Sequence, residues 1–191
     1  EAGIKVTGFI CEGNLATLDD DAWNAQIEEN TKKMRAAAYL GAPIVRLNLG
    51  GLGDAEKDLT IGADRCIAAF NKLIPLAKEL NMKITIENHG GVSKTADGVL
   101  KVIKGTDPEW VGACLDFGNW PDDVRYSESE KLVPYSYHIH AKTHNFNEQG
   151  EDVNKDYNRL LQMLKDSCYN RAVSIDYEGP EDQIEGVKKT R

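Results

Sequence analysis

The stretch that decides the fold spans residues 84–91 and reads ITIENHGG. Apolar and polar residues alternate in it, as in a β-strand, and Glu87 lies at its C-terminal end, just before two turn glycines. Three later segments repeat the pattern and also end on an imidazole or carboxylate; they read ACLDFGN at 113–119, YHIHAK at 137–142 and VSIDYEG at 173–179. Parallel strands followed by helices present their C-terminal ends on one face, so these groups are predicted to meet there.

Strand and helix patterns alternate along the whole chain, which indicates a parallel α/β fold. The predicted strands are 4–10, 44–49, 83–87, 111–116, 135–142 and 172–177. The predicted helices are 19–40, 61–80 (with a kink or early end at Pro75), 95–103, 129–133, 154–165 and the start of one at 184–191. No linker or low-complexity tract interrupts residues 1–191, so a single domain is predicted.

The polar residues of these strands favour a barrel over an open sheet. Helices cover both faces of an open doubly wound sheet, so its strands are nearly continuously apolar. Here one face of each strand is polar, because alternate residues share a face. The polar sets are Arg46 and Asn48; Thr85, Glu87 and His89; Cys114 and Asp116; His138, His140 and Lys142; Ser174, Asp176 and Glu178. Such strands suit a barrel whose interior opens onto a site at its C-terminal mouth.

Composition excludes several classes of protein. The 191 residues carry 31 acidic and 23 basic side chains, a net charge of −8, which argues against nucleic acid as a partner. No apolar run approaches the roughly 20 residues that span a membrane. No signal peptide and no Cys-x-x-Cys pair is visible, so reduced thiols and a cytoplasmic location are expected. The sequence is compatible with a homo-oligomer.

The ligand-type residues predict a site for a divalent cation. Carboxylates together with one imidazole suit a hard or borderline ion such as Mn²⁺, Mg²⁺, Co²⁺ or Zn²⁺. Cys114 is expected to pack in the core instead. Taken singly, each residue has an ordinary structural interpretation: Asp116 could cap a turn, and His138 could be a satisfied core histidine. Chance placement is a poor explanation for four consecutive strands that all end on such a residue.

The four segments resemble the xylose-isomerase-like sugar phosphate isomerase/epimerase superfamily, also described as AP endonuclease family 2-like. The resemblance covers nearly the whole chain. It implies an eight-stranded (β/α) barrel, of which six βα units are visible here, with the first two missing and the last helix cut. On that basis the chain is expected to be truncated at both ends.

The resemblance also implies a ligand set, carried over by position in this sequence. Glu87, Asp116 and His140 match the family's Glu, Asp and His ligands. Asp176 matches the last Glu, with a shorter side chain, and Glu178 is the alternative fourth ligand. Two other positions depart from the 3-epimerase pattern: Asn119 stands where a substrate-binding His is common, and Phe146 where an Arg is common.

The implied activity is a metal-dependent sugar or polyol isomerase or epimerase, which transfers a proton through a metal-stabilised enediolate. Glu87 and Asp176, or Glu178 in place of Asp176, would exchange the proton. The residues expected to bind the substrate are Arg46, His89, Asn119, His138 and Lys142. Arg46 could equally form a structural ion pair. The alternatives are a lyase or dehydratase acting on an oxidised sugar or inosose, and an inactive sugar-binding homologue; a DNA-repair endonuclease fits the charge and the four histidines less well.

Overall fold

A computed structural model of the chain describes residues 3–191, and six parallel strands form its single sheet in chain order. The strands are β1 Phe9–Cys11, β2 Ile44–Leu47, β3 Lys83–Glu87, β4 Val111–Asp116, β5 Ser136–Thr143 and β6 Val173–Tyr177. The helices are α1 Asp20–Tyr39, α2 Ala55–Lys57, α3 Ala63–Glu79, α4 Ala96–Lys104, α5 Arg125–Leu132, α6 Tyr157–Asp166 and α7 Gln183–Thr190. The sheet curls into an incomplete (β/α) barrel, as predicted. Among the described residues, β1 and β6 each pair along one edge only.

The core lies between the sheet and the helices that return between its strands. The central strands send their apolar residues outward, and Val45, Ile84, Leu115 and Ile139 are completely buried there. Several helices begin at side-chain caps, as at Asp19, whose carboxylate accepts a hydrogen bond from the Ala22 amide. Since the apolar residues face the helices, the opposite strand face is left to polar side chains and lines the barrel interior.

Several element boundaries differ from those predicted; for example, β2 ends at Leu47 rather than 49, and α6 starts at Tyr157 rather than 154. The first strand contains only residues 9–11, since β2 is its single described neighbour and Ile4 is 85% exposed. The fifth helix starts at Arg125 rather than 129, because the buried Arg125 guanidinium donates hydrogen bonds to the Phe117 and Trp120 carbonyls. Pro75 does not end α3, whose last turn still buries Ala77.

Short helical turns fall where the sequence suggested only loop or the start of a longer helix, α2 among them. A π-helical turn at Asp58–Gly62 precedes α3. A 3₁₀ turn at Gly91–Ser93 follows the loop after β3. Within residues 3–191, no helix is both long enough and apolar enough to cross a membrane.

Glycines allow two loops to touch at the C-terminal end of the sheet. The Val92 amide donates to the Gly50 carbonyl at 3.0 Å, which ties the loop after β3 to the loop after β2. Gly91 has a φ of +53°, and a Cβ there would stand 2.1 Å from the Gly50 oxygen. This close approach holds the loop that follows Glu87.

Gly91→Ala is therefore expected to lower the free energy of unfolding by about 2–4 kcal/mol, through left-handed strain and a clash with backbone. Gly90→Ala is the matched control, since a Cβ there meets nothing within 4 Å and the backbone is extended. Its cost should stay within about 0.5 kcal/mol. Urea denaturation of both variants measures the difference, and equal stabilities would contradict this account of the loop.

Candidate active site

Strand register arranges the polar side chains in layers inside the barrel. Glu87 is paired with Cys114 across β3 and β4. Asp116 is paired with His140 across β4 and β5. Further toward the mouth, Lys142 is paired with Asp176 across β5 and β6. Residues from four strands therefore approach one another at the C-terminal end of the sheet.

Three of the predicted metal ligands converge on one point. Asp116, His140 and Asp176, here called the outer triad, each place a ligand atom within 4.8 Å of the other two. Asp116 is fully buried and Asp176 is half-buried. Two loop contacts fix Asp116: its amide donates to Asn88 Oδ1 at 2.7 Å, and its Oδ1 accepts from the Gly118 amide at 2.7 Å.

Glu87, the fourth predicted ligand, reaches the outer triad through His140. Its Oε1 lies 3.0 Å from His140 Nδ1, and its Oε2 accepts a hydrogen bond from Arg46. Arg46 also contacts Glu12, so carboxylates engage both terminal nitrogens of its guanidinium. Burial alone would raise the pKa of Glu87, but the close contact with the His140 imidazole and the charge of Arg46 outweigh it and lower that pKa. Glu87 is therefore an ionised carboxylate.

The Lys142 ammonium stands between the acidic side chains of the site. Its Nζ lies 2.9 Å from Asp116 Oδ2, 3.4 Å from Asp176 Oδ2 and 3.1 Å from Glu178 Oε1. It also donates to Asn119 Oδ1 at 3.0 Å. Burial alone would lower the pKa of Lys142, but the neighbouring carboxylates have the larger effect, so the pKa is raised overall. One positive charge thus faces three carboxylates.

The residues present fit a divalent cation. His140 Nδ1 and Asp116 Oδ2 are both buried. Their charged neighbours, Glu87 at 3.0 Å and Lys142 at 2.9 Å, do not meet them in hydrogen-bonding geometry, and no other residue of 3–191 does. Burial raises the pKa of Asp116 to about 6, against the opposing effect of Lys142, so one nearby cation does not offset the cost of burying this carboxylate. Imidazole nitrogen with carboxylate oxygens is a donor set for Mn²⁺, Co²⁺ or Zn²⁺.

The other predicted residues lie around this centre. His89 is exposed at the mouth of the barrel, and Glu178 is exposed and lies outside the outer triad. His138 is buried, 2.6 Å from Ser174 Oγ through its Nε2. Burial, with His140 nearby, lowers the pKa of His138 to about 4, so it is neutral at physiological pH. An open cavity of about 390 Å³ joins these groups.

Cys114 corrects one expectation from the sequence. It does not pack in the apolar core: its Sγ lies 3.5 Å from His140 Nε2, on the face that carries the site. The reason is strand alternation, since Cys114 is two residues before Asp116 and shares its face. Sequence reasoning missed Glu12 as well. No periodic signal marks it, because it lies in the loop after β1 and meets Arg46 only through folding.

The sequence matches a known family along its full length. The profile of the xylose isomerase-like TIM barrel family covers residues 1–191. The chain belongs to this family. The resemblance stated from the four segments is thereby confirmed, and so is the barrel architecture it implied. No curated protein matches the sequence significantly.

Solved structures with the same fold include several sugar-converting enzymes. A D-tagatose 3-epimerase-like protein superposes with a TM-score of 0.78 at 17% identity, covering 98% of this chain and 75% of its own. D-psicose 3-epimerase from Clostridium cellulolyticum H10, solved with D-tagatose, gives 0.75 at 18% identity, covering 99% and 70%. The IOLI protein with a bound zinc atom gives 0.73 at 16% identity, covering 96% and 73%. At these identities the likeness establishes the fold.

Proposed function

We propose that this protein is a divalent-metal-dependent isomerase or epimerase of a sugar or polyol, working by proton transfer at carbon. The observation that carries the proposal is the outer triad, with Glu87 against His140, at the C-terminal mouth of the barrel. Barrel enzymes of this type build their active sites at that end. The family and the sugar-converting structural relatives support the same class of reaction. The oligomeric state and the compartment stay predictions from the sequence.

The side chains that would hold the cation are Glu87, Asp116, His140 and Asp176. When bound, the cation supplies Lewis-acid polarisation of a substrate carbonyl and stabilises negative charge on adjacent oxygens. Asn88 and the Gly118 amide keep Asp116 in place through the hydrogen bonds described above. Well-fixed ligands of this kind require no rearrangement during the reaction.

Glu87 and Asp176 are the proposed proton-transferring pair. They belong to β3 and β6, at the two ends of the row of ligands, so they flank a substrate lying across β4 and β5. Glu87 is ionised and can accept a proton from carbon, and Asp176 can return one on the other side. Lys142 would bind a hydroxyl or the developing oxyanion when a bound metal ion shares the charge of the carboxylates around it.

Chelation is expected to abolish turnover. Purified protein would be incubated in D₂O with a panel of ketohexoses and oxidised polyols such as inososes, after treatment with EDTA and again after addition of Mn²⁺, Co²⁺ or Zn²⁺. The expected result is metal-dependent incorporation of deuterium at the carbon beside the carbonyl, with formation of an isomer, as nuclear magnetic resonance would detect. A dehydrated product would establish the lyase alternative. Metal binding with no exchange on any substrate would favour the inactive sugar-binding homologue.

The fourth ligand is tested by a matched pair of variants on β6 and the residue that follows it. Asp176→Asn should raise the Kd for Mn²⁺ by at least about tenfold, because a removed ligand should cost no less than a lost outer-shell contact. Glu178→Gln should change that Kd by no more than about threefold, as an exposed carboxylate contributes little. Calorimetric titration measures both, and the reverse order would assign the ligand to Glu178.

A further inference from the structure

A second group of ligand atoms lies deeper in the barrel than Asp116 and Asp176. Glu87, Cys114 and His140, here called the inner triad, each place one ligand atom within 4.8 Å of the other two. We propose that the inner triad is a binding position for a thiophilic divalent cation, represented by Zn²⁺ or Co²⁺, distinct from the oxygen-rich outer triad. The inference rests on the proposed function only in that His140 and Glu87 belong to both ligand sets.

The imidazole of His140 stands between a carboxylate and a thiol. Its Nδ1 lies 3.0 Å from Glu87 Oε1, and its Nε2 lies 3.5 Å from Cys114 Sγ. Glu87 and Cys114 are direct neighbours across β3 and β4. The three side chains therefore come from three adjacent strands, which hold them on rigid backbone.

Two observations distinguish this cluster from ordinary core packing. Cys114 is only 1% exposed, yet it is absent from the contiguous apolar core and touches polar groups instead. His140 is 8% exposed, and its Nδ1 stands 3.0 Å from the Glu87 carboxylate without reaching hydrogen-bonding geometry. Buried polar atoms of this kind are normally satisfied, so an unsatisfied one aimed into a ligand cluster points to a missing partner. A cation bound between these groups would be that partner.

The chemistry of the donors separates the two triads. Thiolate with imidazole favours Zn²⁺ and Co²⁺, whereas Mg²⁺ and Mn²⁺ prefer oxygen, which the outer triad supplies through Asp116 and Asp176. Coordination displaces the thiol proton of Cys114, as in other zinc–thiolate sites. Because both positions need the same imidazole of His140, a cation in one weakens binding at the other. The identity of the metal thus selects its position in the barrel.

Cobalt loading tests the inference on the full chain. Metal-free protein titrated with Co²⁺ should develop a sulfur-to-cobalt charge-transfer band in the near ultraviolet, and Zn²⁺ should then displace it. Cys114→Ser should lose the band and raise the Kd for Zn²⁺ by at least about tenfold. Cys168→Ser, which alters an exposed thiol at the end of α6, should keep the band. Cys114→Ala repeats the test without an oxygen donor, and circular dichroism of the metal-free variants verifies that they are folded.

Asp116→Asn separates this inference from the proposed function. It disables the outer triad, so Mn²⁺ binding should fall while the cobalt–sulfur band persists. Mn²⁺ binding to the wild type with no sulfur band on Co²⁺ uptake would overturn the inner triad alone. The inner-triad proposal would also be overturned if the cobalt–sulfur band survived in Cys114→Ser, or if the wild type took up no Co²⁺.

Discussion

Glu87→Gln is expected to lower kcat for proton exchange by roughly 10²- to 10⁴-fold, the contribution typical of a positioned general base. The amide cannot accept a proton from carbon, and it is a weaker ligand for a divalent cation. It also leaves Arg46, among the described residues, with the more exposed Glu12 as its remaining charged partner. The measurement is deuterium incorporation into a substrate that the wild type turns over in the presence of Mn²⁺.

Glu12→Gln is the matched control for the lost contact with Arg46. It removes the other carboxylate that pairs with the same guanidinium, but Glu12 lies outside both triads. Because the Glu12 side chain is 70% exposed, the activity of the Glu12→Gln variant should stay within about fivefold of wild type. If Glu87→Gln kept near-normal exchange while both variants were folded, the proposed role of Glu87 would be wrong.

Lys142→Met is expected to destabilise the metal-free protein by about 3 kcal/mol, since removing one partner of a buried ion pair leaves uncompensated charge. The Lys142 and Asp116 side chains are 6% and 0% exposed, and Asp176 adds a second carboxylate 3.4 Å from the ammonium. Adding Mn²⁺ should recover much of the loss, because a cation that binds only the folded state stabilises it by mass action. Chemical denaturation with chelator and with Mn²⁺ measures both effects.

Two further variants make that experiment specific. Lys142→Met combined with Asp116→Asn removes both charges, so the loss in metal-free protein should fall below that of the single variant. Lys155→Met breaks another buried pair, with Asp152 at 3.2 Å, outside the two triads. It should destabilise the protein without recovery on addition of Mn²⁺. Equal recovery in Lys142→Met and Lys155→Met would argue against a cation site at Lys142.

Much of the fold could be predicted because its signals are local. Alternation within residues 84–87 and 113–116 separates an apolar face from a polar one, and that separation places Glu87 and Asp116 inside the barrel. Strand order follows from the regular succession of strands and helices, since right-handed crossovers put consecutive strands side by side. The boundary of α5 was missed because Arg125 is held by the Phe117 and Trp120 carbonyls, contacts that no periodic pattern records.

The sequence by itself determined which residue types end the strands, and so which chemistry the site can carry. Only the tertiary structure decided which of these side chains lie together in the inner triad and which in the outer triad. Strand register placed Cys114 beside Glu87, a layer below Asp116, and it placed the Lys142 ammonium among the carboxylates. Distances between side chains on different strands depend on pairing register and barrel curvature. Those are properties of the folded sheet as a whole, and a one-residue shift in register would change them all.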